Sequence, residues 1–279
     1  MKLRSLLFVP GDRPDRFAKA AASGADALIL DLEDSVAAAN KASARHAIAQ
    51  WLRQPRDIPA FVRTNPLDSG LVAEDLAAIG DGDPDGLMLP KAEGAASVEA
   101  LLAMLGGRQI PILPIASETA AAVFQLGSYA SVARHLAGLT WGAEDLPAAI
   151  GAATAREADG SYTAPYQMVR ALTLFGAHAA SVPAVETVFP DIRDSDALAA
   201  YAARGRRDGF TGMMAIHPAQ VPVINAAFAP TDAEIAHARA IVSAFDANPD
   251  AGALQLDGRM IDAPHLKQAQ RLLAQLPTE

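Results

Sequence analysis

The stretch LILDLEDSV (residues 28–36) runs an aliphatic segment, Leu28 to Leu30, directly into Asp31, Glu33 and Asp34. An almost wholly apolar run reads as a strand of a parallel sheet covered on both faces. Three acids at its end repel one another unless something positive lies close by. In barrels of parallel strands the active site forms at the carboxyl end of the strands. The stretch therefore asks whether other strands end the same way.

They do. Short β-branched or Leu-rich runs read as strands at 5–9, 27–32, 60–64, 86–90, 112–116, 137–141, 178–182 and 212–216. Helical patterns lie between them, at 14–23, 40–53, 70–79, 95–105, 118–127, 145–152, 164–175 and 194–208, with another from Pro218. Eight successive strand–helix units predict an α/β fold, a (β/α)8 TIM barrel, over residues 1–230. The rival is a doubly wound open sheet, but VPGDRPD lacks the Gly spacing of a dinucleotide-binding first turn. Residues 231–279 read as two further helices, the first capped by Thr231 or Asp232. This tail reads as a C-terminal helical lid, too small for its own core.

The 279 residues carry 32 acids and 23 bases, a net charge of −9. That balance argues against nucleic acid or an anionic membrane as partner. With no cysteine, thiolate catalysis and thiolate metal sites are excluded. No run approaches the length of a membrane span, and the N-terminal apolar run meets Pro-Gly too early for a secretory signal. A soluble cytoplasmic protein is the expectation.

The ends of the predicted strands carry Arg63 and Asn65, Lys91 and Glu93, Ser117 and Glu118, Glu144 and Asp145, Glu186, and His217. Any one of these could cap a helix or pair with a neighbour. Together they suggest a site with surplus carboxylate, which a divalent cation would neutralise. Mg²⁺ takes one or two protein carboxylates plus waters and substrate oxygens. Glu118 and Asp145, on neighbouring strands, suit it, and no His pair has the spacing of a zinc site. Arg63 is placed to grip an organic-acid carboxylate. Glu33, Asp34 and Lys91 are expected around this centre, the acids pairing with Arg63, Lys91 or metal-bound water, with Asp31 paired inside the barrel mouth. Lys91 among acids suits ion pairing better than a Schiff base, which wants a lowered pKa. Arg13, Arg16 and Lys19 in the first loop offer a basic patch for a phosphate-bearing ligand.

RSLLFVPGDRPDRFAKA (4–20), DALILDLEDSVA (26–37), VRTN (62–65), GLMLPKAE (86–93), SETA (117–120), GAEDL (142–146), AIHPAQV (215–221) and DGRMIDAPHLKQAQ (257–270) resemble, in order, the citrate lyase β-subunit family within the HpcH/HpaI aldolases. The resemblance implies a Mg²⁺-dependent lyase of citryl-, malyl- or citramalyl-type CoA thioesters. Thioester hydrolysis, or a citrate lyase complex subunit acting on a carrier thioester, are its alternatives. A non-catalytic barrel is the reading from outside enzymology. The resemblance carries Glu118 and Asp145 over as metal ligands, Arg63 as the carboxylate site and Asp262 as the acid/base residue of the lid. It also implies a homotrimer or hexamer. Ala122 and Met213 depart from the family pattern, and Met213 removes a charge from the eighth strand.

Overall fold

The computed structural model describes residues 3–274 and 276, with the backbone alone for Asp81. Eight parallel strands form one sheet: β1 (Ser5–Pro10), β2 (Ala27–Asp31), β3 (Ala60–Arg63), β4 (Gly86–Leu89), β5 (Ile112–Pro114), β6 (Leu139–Thr140), β7 (Ala184–Glu186) and β8 (Gly212–Ala215). Their order is β5-β4-β3-β2-β1-β8-β7-β6. Bridges from Ile112 to Leu136 and from Ile115 to Thr140 bring the two ends together, with the Ala116 amide 2.8 Å from the Thr140 carbonyl. The sheet thus curls into a nearly closed barrel.

Alternation along each strand builds two separate cores. Leu6, Ile29, Phe61, Met88, Leu113, Val185 and Met214 point inward and fill the lumen. Leu7, Leu28, Leu30, Val62, Leu87, Leu89 and Met213 point outward and pack beneath the helices. Met213 therefore belongs to the outer core, beside Glu186 in the β7–β8 register and away from the lumen. Gly86 is required by the packing, since a Cβ there would meet the Phe61 ring at 2.2 Å.

The surrounding helices are α1 (Phe17–Ala21), α2 (Lys41–Leu52), α3 (Val72–Ile79), α4 (Ala95–Met104), α5 (Ala120–Val123), α6 (Leu146–Ile150), α7 (Ala164–Ala179), α8 (Ser195–Asp208) and α9 (Gln220–Phe228). The helix expected over 118–127 is only the four residues of α5, followed by 3-10 turns over Leu126–His135. The expected seventh strand at 178–182 is not a strand. α7 runs on to Ala179, the chain turns through Ser181 at φ +57°, and pairing with β6 and β8 begins only after Pro183. Among the described residues no helix is long and apolar enough to cross a membrane.

The chain divides into two compact units, Met1–Phe228 and Ala229–Glu279. In the second, Thr231 and Glu234 cap α10 (Asp232–Asp246) reciprocally. A hairpin that the sequence reading missed follows, β9 (Ala253–Leu256) and β10 (Arg259–Asp262), turning through Asp257 and Gly258, both at positive φ. Asp-Gly between alternating residues is the signal of such a turn. α11 (Ala263–Leu273) closes the unit. Contrary to expectation it has a small apolar cluster of its own, centred on Ala238, Ile241, Phe245, Ile261 and Ala269.

Candidate active site

A cavity of about 690 Å³ opens where the strands end. Its floor is the last inward apolar layer, with Phe8, Ile115 and Met214 among its lining, and its walls include Asp31, Arg63, Glu118, Glu144 and Asp145. The sequence reading named the polar residues and passed over the floor. The two-residue period of the strands could have supplied it.

The acids of 28–36 are neutralised one by one. Asp31 and Arg63 are partners in the β2–β3 register. Arg63 donates from Nε to Asp31 Oδ1 at 2.6 Å and from Nη2 to Oδ2 at 2.7 Å. Asp31 also accepts from the amides of Glu33 and Ser35 and from the Ser35 hydroxyl. Burial alone would raise the Asp31 pKa, but Arg63 and these donors outweigh it and hold the carboxyl below its ordinary value. Glu33 Oε2 lies 2.8 Å from Arg63 Nη1 as an ion pair out of hydrogen-bond alignment, and Glu33 Oε1 accepts from Lys91 Nζ at 3.0 Å. Burial still pushes its carboxyl up against both cations. Asp34 is exposed, 4.0 Å from Arg63. Arg63 itself rests 4.9 Å from the Phe8 ring centre.

Lys91 acts through two groups. Its backbone sits at φ +50° and aims the amide at Glu118 Oε2, 2.5 Å away. Its ammonium lies 3.0 Å from Glu33 and 3.3 Å from Asp145. Burial would lower its pKa, but Glu33, Glu118 and Asp145 hold it above the ordinary lysine value. A raised pKa disfavours the neutral amine that a Schiff base needs.

Glu118 is 3 % exposed. Burial, joined by the charges of Asp145 and Glu33, pushes its pKa up to about 8 against the Lys91 amide. Gly142 passes so close that a Cβ there would lie 2.5 Å from Glu118 Cγ. A buried carboxylate destabilised by neighbouring acids and facing a cavity is suited to a hard divalent cation. Among the described residues no group of three His, Cys, Asp or Glu could hold a metal. The two expected ligands, Glu118 and Asp145, would offer two carboxylates, a set that suits an ion keeping waters and substrate oxygens.

The other expected residues divide between the cavity and its surroundings. Arg16 and Lys19 line the cavity, whereas Arg13 turns outward in a two-bond pair with Asp15. Asn65 braces Asp75 and Lys41, and Glu93 accepts from Thr119 Oγ1. His217 lines the cavity while its Nδ1 accepts from the Ala219 amide ahead of α9. Glu186 faces away from the cavity, into the helix layer, among Trp141, Arg170 and Tyr201. Asp262 lies in the second unit, where it precedes α11 with Oδ1 2.5 Å from His265 Nδ1. Ser35 and Gly142 were not singled out from sequence; neither carries a signal apart from its contact.

The HpcH/HpaI aldolase/citrate lyase family profile matches residues 4–218. A "Citrate lyase subunit beta-like protein" of Mycobacterium tuberculosis is 37% identical over 267 residues, 96% of this chain and 93% of that protein. A "(3S)-malyl-CoA thioesterase" of Cereibacter sphaeroides is 32% identical over 280 residues, 97% of this chain and 93% of that protein. The M. tuberculosis CitE crystal structure in complex with magnesium, acetoacetate and coenzyme A superposes with a TM-score of 0.83 at 38% identity, covering 97% of each chain. The likeness runs through the strand ends that build the cavity, and on that ground the chain belongs to the HpcH/HpaI aldolase/citrate lyase family.

Proposed function

We propose that this chain is a Mg²⁺-dependent oxo-acid lyase that cleaves or forms a β-hydroxyacyl-CoA of the citryl, malyl or citramalyl type. The observation that carries the reading is Glu118 and Asp145 sharing one cavity with Arg63. The relative solved with magnesium, acetoacetate and coenzyme A supports it.

Glu118 and Asp145 would hold the ion. Bound Mg²⁺ supplies Lewis-acid stabilisation of negative charge on the hydroxy-acid oxygens. Arg63 gives Nε and one Nη2 hydrogen to Asp31, leaving its other Nη hydrogens for the carboxylate of the 2-oxo acid half. Because Asp31 fixes the guanidinium plane, the carboxylate is oriented before reaction, which is where proximity lowers a barrier. Glu33 and Lys91 keep Arg63, Glu118 and Asp145 in register with one another. In the cleavage direction the hydroxyl gives its proton to solvent, its carbon becomes the carbonyl of the 2-oxo acid, and the electron pair of the breaking carbon–carbon bond becomes the thioester enolate. Asp262 is assigned the proton that returns to the enolate carbon, and it removes that proton in the condensation direction. Arg16 and Lys19 are assigned to the phosphates of CoA.

The resemblance carries a homotrimer with it, and one surface supports self-association. Met168, Leu172 and Phe175 form an exposed apolar stripe on α7, and Phe124 at the end of α5 is 87% exposed. An uncharged face is where copies of a chain of net charge −9 meet with least repulsion.

The test is a cleavage screen of malyl-, citramalyl- and citryl-CoA with Mg²⁺, with EDTA as control. Acetyl- or propionyl-CoA plus a 2-oxo acid supports the lyase. Free CoA with an intact hydroxy acid supports hydrolysis, the reading favoured by the thioesterase relative. No turnover of any of the three refutes both.

A further inference from the structure

Glu186 is a buried acid of the barrel unit with both carboxylate oxygens engaged, and the chemistry proposed above makes no use of it. Its side chain is wholly buried. Oε1 accepts from Trp141 Nε1 at 2.6 Å, from the Tyr201 hydroxyl at 2.9 Å and from the Thr187 amide at 3.0 Å. Oε2 accepts from Arg170 Nε at 2.6 Å, and Arg170 Nη1 continues to Asp208 at 2.7 Å. On α8, Gly205 leaves it room: a Cβ there would come within 3.3 Å of Oε2. Glycine within a helix costs about 1 kcal/mol relative to alanine. A buried ion pair adds little stability over apolar packing of the same volume. Both point to a role in geometry.

The position says which geometry. β6 pairs with β7 through only two residues, Leu139 with Ala184 and Thr140 with Val185. Trp141 and Glu186 come next on the two strands. Their side-chain bond therefore extends the pairing one step beyond the backbone ladder. The next residue after Trp141 is Gly142, whose backbone abuts Glu118, and Asp145 follows three residues later. On the other strand Thr187 and Val188 line the cavity directly after Glu186.

We infer that Glu186 is a positioning residue of the metal centre: it pins Trp141, and through it the Gly142–Asp145 turn that sets Asp145 against Glu118. This rests on the reading of Glu118 and Asp145 as the metal ligands. The charge of Glu186 never meets the ion. Its contribution is the orientation of the strand end that carries one ligand and touches the other.

The experiment is calorimetric titration of the full-length protein with Mg²⁺ alone, beside thermal melts. Glu186→Gln keeps the shape but presents an amide hydrogen to one of its four donors. Its Mg²⁺ Kd is expected to rise about tenfold, the scale for a partner that orients a metal ligand, and Trp141→Phe should shift it the same way. Asp26→Asn is the control for general destabilisation: it breaks the pair with Arg4 ahead of β2, at the opposite end of the strands. It should lower the melting temperature and leave the Mg²⁺ Kd unchanged. A folded Glu186→Gln protein with a Kd within about twofold of wild type overturns the inference, as does an equal rise in Asp26→Asn. If Glu186→Gln does not fold, Trp141→Phe decides on the same criterion. Wild-type protein that takes up no Mg²⁺ overturns the metal reading together with this one, so the two failures are distinct.

Discussion

Replacing Asp31 by Asn keeps the side chain's shape and removes its charge from beneath Arg63. Asp31 is 1% and Arg63 11% exposed, so little water can replace what is lost. Two bonds between opposite charges, at 2.6 and 2.7 Å, become one bond from the guanidinium to a neutral amide oxygen and one clash between N–H groups. Removing one partner of a buried pair costs about 3–5 kcal/mol. Glu33, 2.8 Å from Nη1, still balances part of the guanidinium charge, which places the cost near the lower end, about 3 kcal/mol. For a unit of this size that corresponds to a fall in melting temperature of about 6–12 °C. Differential scanning calorimetry of Asp31→Asn, Arg63→Met and the double variant reads it. The double variant should be less damaged than the two single losses added together. A fall of under about 2 °C in Asp31→Asn would refute the reasoning, because the pair would then be contributing no more than an exposed one.

Because the Asp31 pKa is depressed in the folded protein, its contribution is present above the ordinary carboxylate range and lost as pH falls through the native value. The gap in melting temperature between wild type and Asp31→Asn should thus be flat from about pH 5 to 8 and shrink below about pH 4. Arg16→Ala should raise KM for the CoA thioester about fivefold, on the scale of one lost charged contact to phosphate, while Arg13→Ala, at a residue paired with Asp15 outside the cavity lining, should leave KM unchanged in steady-state kinetics. Phe175→Glu on the exposed face of α7 should shift the mass measured by light scattering toward the monomer, whereas an unchanged mass would remove that face from any interface.

The barrel was legible because parallel strands buried on both faces leave aliphatic runs that need no alignment to see. The carboxyl-end site was legible because charge at the end of such a run has few structural excuses. Facing was harder. Placing the seventh strand at 178–182 left Glu186 in a loop beyond it, free to join the cavity. In the structure Glu186 is the third residue of β7, on the same side as Ala184 and hence toward the helices. A strand start displaced by a few residues thus changes the function assigned to an acid. The hairpin at 253–262 was overlooked for a different reason. Its residues are mostly exposed, so it lacks the apolar signature by which the barrel strands were found, and only its Asp-Gly turn announces it.

Lys91 divides its work between backbone and side chain, and that division shapes how the position can be varied. Every residue but proline has the amide that touches Glu118, but at φ +50° a β-branched replacement would add backbone strain to the missing ammonium. Asparagine or glycine, at ease in a left-handed conformation, would retain that amide and unload the charge. A redesigner can therefore retune the electrostatics of this mouth at position 91 and leave the grip on the buried acid in place.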